Sequence, residues 1–124
     1  MTELELVRHW YETRDPKLFS HDVKFTICKT FPYSGTYHGA KAIYEDFFGK
    51  LLSRFAEFRV ERDLELQDGM TVIIVGRYVG KVTVASSEFE VPFTHVWQVK
   101  DGMVLSVQQH AETALLNHAF DAAA

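Results

Sequence analysis

Tyr78, His95 and Gln109 stand at positions where strand alternation calls for apolar side chains. An imidazole titrates near neutrality and can give or take a proton. A phenol can donate a hydrogen bond to a carbonyl oxygen on which charge develops. An amide can orient a ligand but moves no proton at neutral pH. The set suits acid–base chemistry without a cofactor, such as isomerisation, dehydration or cyclisation, with His95 as proton-transfer group and Tyr78 as electrophile. Glu112 is the alternative carboxylate base, provided that a bulge turns it toward the other two. The competing reading keeps His95 and Tyr78 as hydrogen-bonded members of an ordinary core, in a protein that binds a ligand or partner without turnover.

Strand parity decides whether these residues meet. In residues 71–84 one face carries Val72, Ile74, Gly76, Tyr78, Gly80, Val82 and Val84, and the other Ile73, Val75, Arg77, Val79, Lys81 and Thr83. The next strand sets Val91, Phe93, His95, Trp97 and Val99 against Thr94, Val96 and Gln98. In the last, Val107, Gln109 and Ala111 oppose Ser106, Gln108, His110 and Glu112. If the faces of Tyr78 and His95 look onto helices, the sheet centre gathers a phenol, an imidazole, an indole and an amide. Gly76 and Gly80 would leave space beside Tyr78, and the result is an apolar pocket with a few polar groups. Gly80, Phe93, Trp97, Val107 and Gln109 are the expected ligand contacts from the sheet. Tyr11 and Phe47 are those from the helices, with Tyr37 and Tyr33 as a lid. The opposite face, with Ile73, Val75, Val79 and Val96, is too apolar for water, which predicts a homodimer through the outer sheet face. Parity also separates His95 from His110 and Glu112, so no metal site is expected. With no phosphate loop or dinucleotide fingerprint, no cofactor is expected either.

The positioning elements follow from local signals. "TELE" at residues 2–5 has capping-box spacing, and Leu4, Leu6, Val7, Trp10 and Tyr11 recur at helical intervals, which predicts a helix over 3–13. Asp15-Pro16 opens a very short second helix through about Phe19. Residues 22–29 alternate as a strand that includes Cys28, and "TFPYSGTYHG" reads as a greasy loop. Residues 40–55 place Ile43, Tyr44, Phe47, Phe48, Leu51, Leu52 and Phe55 on one helical face, with Asp46 opposite in solvent. Phe58, Val60, Leu64 and Leu66 form one apolar alternation, with Arg62 on the same face as a rim or partner contact. Reversals fall at "QDGM", near "ASS" and at Asp101-Gly102, and residues 113–120 close as a helix. The order predicts an α+β fold, a curved sheet with helices on its concave side.

Composition narrows the partners. At 124 residues and 47% hydrophobic, residues 1–124 suit one domain with one core. No apolar run of about 18 residues is present, so no membrane span is expected. A single cysteine rules out an internal disulfide framework, and a net charge of −4 with scattered basic residues argues against nucleic acid. A hydrophobic small molecule is the expected partner. The polar N-terminus lacks a secretory pattern, so the expectation is a soluble cytoplasmic protein.

This order of elements resembles the SnoaL-like proteins of the nuclear transport factor 2-like superfamily, which includes ketosteroid isomerase, scytalone dehydratase and limonene epoxide hydrolase. The residues that carry the likeness are "YHG" before the third helix, "DG" before the long strand, "VPFTHVW", and "KDGMV" through "QQHAET". The resemblance spans almost the whole chain. It implies a cone-shaped curved antiparallel sheet wrapped around N-terminal helices, a cystatin-like α+β barrel, with an apolar pocket for a polyketide- or steroid-like molecule and a sheet-to-sheet dimer. The isomerase tyrosine falls near Val7 and its aspartate base near Ile27, where no proton can be moved. Its second hydrogen-bonding acid falls on His95. The aspartate of SnoaL-type cyclases falls in the neighbourhood of Gln109, His110 and Glu112, and the histidine–tyrosine chemistry of scytalone dehydratase is similar to His95 with Tyr78.

Overall fold

Thr2 starts the first helix by a reciprocal cap. Its hydroxyl accepts from the Glu5 N–H at 3.0 Å, and its own N–H donates to the Glu5 carboxylate at 2.9 Å. In a computed structural model that describes residues 1–83 and 87–123, this helix, α1, spans Glu3–Thr13. Its buried face is Leu6, Val7, Trp10 and Tyr11, as the periodicity predicts. Arg14 closes it in the left-handed region, at φ 56. Asp15 then caps a single 3₁₀ turn, Pro16–Leu18, and strand β1 follows directly at Phe19–Ile27. Cys28 lies just past that strand, half-buried, rather than within it.

Two elements differ from expectation. The glycine-bounded stretch read as a loop contains a short edge strand, β2 (Gly35–His38), antiparallel to β1 with Tyr37 opposite Phe25. Its propensity is poor, and pairing to a formed neighbour supplies what propensity lacks. The long helix is also not a regular one. Residues Ala42–Phe48 wind as a π-helix, with the Gly49 N–H reaching back to the Tyr44 carbonyl, before α2 (Gly49–Leu52). This wider turn lets the adjacent Phe47 and Phe48 face the interior together.

Strands β3 (Phe55–Asp68), β4 (Thr71–Val82), β5 (Glu88–Lys100) and β6 (Met103–Ala111) then run as consecutive antiparallel neighbours, and α3 (Thr113–Ala123) ends the chain. The sheet order is β2-β1-β6-β5-β4-β3. The curved sheet stays open, with β2 and β3 as its edges, and one pair, β1 with β6, is parallel. Asp101 and Gly102, at φ 52 and 75, form the hairpin turn that their sequence signals. Val84 and most of the reversal expected at "ASS" lie outside the described residues. No described helix is long and apolar enough to cross a membrane.

β3 does not keep one parity. Phe58 and Val60 pair with Gly80 and Tyr78 on the inner face, but the register shifts between Arg62 and Leu64. Beyond that bulge Leu64 and Leu66 face outward beside Val75 and Ile73, while Glu65 and Gln67 take the inner face under α1. The glycines of β4 serve the same bend. A Cβ on Gly80 would overlap the Glu57 carbonyl, and one on Gly76 would overlap that of Glu61. Close backbone approach, not empty volume, is therefore what Gly76 and Gly80 provide.

Candidate functional site

A cavity of about 340 Å³ opens on the concave side of the sheet. Tyr78, His95, Trp97 and Gln109 project into it from β4, β5 and β6, as one shared parity requires. Phe58 and Val60 reach it from β3, Phe25 and Ile27 from β1, and Trp10 and Arg14 from the end of α1. Tyr44, Phe47, Phe48, Leu51 and Leu52 close the helical side. No aspartate or glutamate lines it.

His95 sits at the centre of a short chain of hydrogen bonds. Its Nδ1 lies 2.6 Å from the Tyr11 hydroxyl and its Nε2 lies 2.6 Å from that of Tyr78. Each phenol oxygen also accepts an N–H: Trp97 Nε1 donates to Tyr11 at 3.1 Å, and Gln109 Nε2 to Tyr78 at 3.2 Å. The Gln109 amide is held in that orientation because its Oε1 accepts from the Cys28 backbone N–H at 3.3 Å. Phe93 stacks on both His95 and Tyr78, with centroids 4.0 and 4.5 Å away.

Burial sets the protonation states. Desolvation, helped by the charge of Arg14, lowers the His95 pKa from its usual 6.5 to about 3, so the ring is neutral. Burial likewise pushes the Tyr11 and Tyr78 phenols up, against the hydrogen bonds they accept from Trp97 and Gln109. Both stay protonated. A neutral imidazole has one N–H and one lone pair, so the two short contacts use only two of three available protons. One phenolic proton is left over. Tyr11 does not line the cavity, and its oxygen contacts Trp97 and His95, whereas Tyr78 lines the cavity. The spare proton therefore belongs to Tyr78. This assigns Tyr11 as donor to Nδ1 and the Nε2–H as donor to Tyr78, which leaves the Tyr78 O–H free for the cavity.

Of the residues singled out in sequence, His95, Tyr78, Gln109, Trp97 and Phe47 meet at the cavity wall. Both nitrogens of the His95 ring are engaged, by the Tyr11 and Tyr78 hydroxyls. Tyr11 lies behind His95 as its partner. Phe93 packs beneath the network, and Val107 is fully buried opposite Trp97. Tyr37 packs on Phe47 with the rings tilted, centroids 5.3 Å apart, and donates its hydroxyl to the Tyr33 carbonyl. Gly80 touches the β3 backbone instead of the cavity. Glu112 is exposed past the end of β6, because no bulge turns it inward. Among the described residues, no cluster of three metal-ligating side chains occurs.

Arg14 was not singled out by its sequence context. It follows "HWYET", at the position where a helix commonly ends on glycine, and that mismatch was the available signal. Holding a non-glycine residue at φ 56 costs on the order of 1–3 kcal/mol. The Tyr44 hydroxyl fixes it by donating to the Arg14 carbonyl at 2.7 Å, and itself accepts from Trp10 Nε1 at 2.9 Å. The guanidinium then lies 4.6 Å from the Trp10 ring centroid.

The model of the SnoaL-like domain family matches residues 8–107. An NTF2-like protein from Burkholderia thailandensis superposes with a TM-score of 0.88 at 28% identity, covering 97% of this chain and 98% of that one. TerC, crystallised with polyporic acid, gives 0.84 at 16% identity and covers 96% and 98%. A protein from Jannaschia sp. CCS1, assigned as a SnoaL-like polyketide cyclase, gives 0.84 at 13%, covering 97% and 92%. None of the curated proteins matches the sequence.

Proposed function

The chain belongs to the SnoaL-like domain family, and from that premise we propose that it binds an apolar, carbonyl-bearing small molecule of polyketide or steroid type and rearranges it without a cofactor. The observation that carries this reading is the Tyr78 hydroxyl, 2.6 Å from His95 Nε2 in the wall of a cavity lined by aromatic rings, to which the proton count assigns the spare proton. A ligand carbonyl in that cavity accepts it. As an enol carbon of the same ligand attacks the carbonyl carbon, the C–C bond forms while the C=O π bond opens, and the hydrogen bond strengthens as negative charge builds on the oxygen, which lowers the barrier. The enol proton leaves to water, and water protonates the oxygen. His95 and Gln109 hold the Tyr78 oxygen from behind. Because both phenols have raised pKa values, Tyr78 polarises the carbonyl and keeps its proton. Cyclisation fits this better than isomerisation or dehydration, both of which need a base in the wall to take a proton from carbon. That TerC was crystallised with polyporic acid supports a small organic ligand for this fold.

The test uses 2-acetylnaphthalene, an aryl ketone, as probe. Its carbonyl stretch should move to lower wavenumber on binding, and Tyr78→Phe should abolish the shift while binding persists. A stretch unchanged by binding, or shifted equally in the variant, would remove Tyr78 as the electrophile.

We also propose that a second copy of the chain covers the outer face, giving a homodimer. Leu64 and Leu66 are 49% and 50% exposed there beside Ile73, Val75 and Val96, a row that can meet itself across a two-fold axis. The strip ends at Val79, which is flanked by Arg59 and Glu90. Light scattering at micromolar concentration should show a dimer that Val75→Glu dissociates. A wild-type monomer would refute it.

A further inference from the structure

Among the described residues, Arg14 is the one cationic side chain that lines the cavity. Its charge reaches inward, since it contributes to lowering the His95 pKa. Among the described residues, no carboxylate comes within 4.0 Å of it, while Arg8, Arg59, Arg62 and Arg77 each have such a partner. Its guanidinium lies over the Trp10 ring, with Tyr11 next at 5.5 Å. The residue as a whole keeps exposed surface even though desolvation pulls its guanidinium pKa down. Both observations fit a guanidinium at the cavity mouth, stacked on one side and wet on the other. An arginine whose faces are stacked still presents N–H donors along its edge, in the fork that matches a carboxylate or an ionised enol.

We propose that the ligand is acidic: a planar, largely apolar molecule with one carboxylate or ionised enol or phenol group, which Arg14 binds at the mouth while the apolar body fills the cavity. This rests on the cavity being the ligand site argued above. The polarity of the cavity supports it. Aromatic walls favour a conjugated body, the inner end offers the Tyr78 hydroxyl, and the outer end offers an unpaired cation with no competing acid. A neutral steroid-like ligand would leave that cation without a partner. An acidic one places its charge where water and Arg14 share it, and so avoids burying an ion.

The experiment compares 2-naphthoate with the isosteric neutral 2-naphthamide by isothermal titration calorimetry at pH 7.5. The wild type should prefer the acid on the order of tenfold, and the preference should shrink with added salt. Arg14→Asn keeps a residue that tolerates the left-handed backbone and should bind both probes alike, at the amide's affinity. Arg14→Lys should keep part of the preference, since it retains charge but not the planar fork. Equal binding of acid and amide by wild type would overturn the assignment of Arg14 and leave the cavity reading intact. Binding of neither probe would overturn the cavity reading itself. A preference that survives in Arg14→Asn would place the anion elsewhere.

Discussion

Tyr11 and Tyr78 flank the same imidazole, yet removing their hydroxyls should cost different amounts. Tyr11→Phe leaves His95 Nδ1 without its donor and Trp97 Nε1–H without its acceptor. Neither has another protein partner, and Tyr11 does not line the cavity. Each orphaned buried group costs about 1–3 kcal/mol, so the loss should be about 2–6 kcal/mol. Total stability for such a domain is on the order of 5–15 kcal/mol, which leaves the variant folded but visibly weakened. Tyr78→Phe also strands two groups, His95 Nε2 and Gln109 Nε2, but these border the cavity, where a water can replace the lost oxygen. Its cost falls to about 1–2 kcal/mol, mainly the immobilisation of that water. Urea unfolding at pH 7.5, followed by far-ultraviolet circular dichroism, measures both. Nitrogen-15 resonances of His95 add an independent reading, with the proton expected on Nε2 in the wild type. Equal or reversed destabilisation, or a proton resident on Nδ1, would refute the proton count from which the role of Tyr78 was derived.

Acid should weaken the fold through His95. The unfolded chain takes up a proton near pH 6.5 and the folded imidazole only near pH 3, so the unfolded state binds more protons in that window and stability falls as pH drops. The slope is about 1.4 kcal/mol per pH unit. Urea midpoints between pH 7 and pH 5 should show it and His95→Gln should flatten it; a variant with the wild-type slope would mean that the ring is not held neutral. Gly80→Ala should destabilise by about 1–3 kcal/mol, because its Cβ must displace the Glu57 carbonyl, while affinity for 2-naphthamide holds. A loss of stability under about 0.5 kcal/mol, or a loss of that affinity, would contradict the close-approach reading.

The fold was legible wherever a local rule acts alone. Thr2 with Glu5, Asp15 with Pro16, and Asp101 with Gly102 each declare a boundary within a few residues, and all three boundaries stand. Where a neighbour decides, the sequence is silent. Residues 35–38 look like loop because their strand exists only by pairing with β1. The apolar alternation through Phe58, Val60, Leu64 and Leu66 looks continuous because a bulge adds a residue without altering the pattern of residue types. That bulge divides the alternation: Leu64 and Leu66 are exposed, while Arg62, read as a rim or partner contact, lies on the inner face, 5.1 Å from the Tyr11 ring centroid.

The site divides along the same line. Tyr78, His95, Trp97 and Gln109 could be grouped from sequence because strand parity is a strict period of two, and paired strands in register carry one parity across the sheet. What parity cannot supply is which atom meets which. Tyr11 belongs to a helix, and its contact with Nδ1 depends on how α1 is rotated and how far it lies from the sheet, quantities fixed by Trp10 and Trp97 packing at 5.1 Å. That one contact changes the chemistry. Without Tyr11, one ring nitrogen of His95 would lack its partner. With it, both ring nitrogens are engaged, and the surplus proton emerges on Tyr78. A helix residue that does not line the cavity thus occupies one nitrogen of the candidate base, and in the proposed mechanism the reactivity of the cavity follows from the number of protons in the hydrogen-bonded chain.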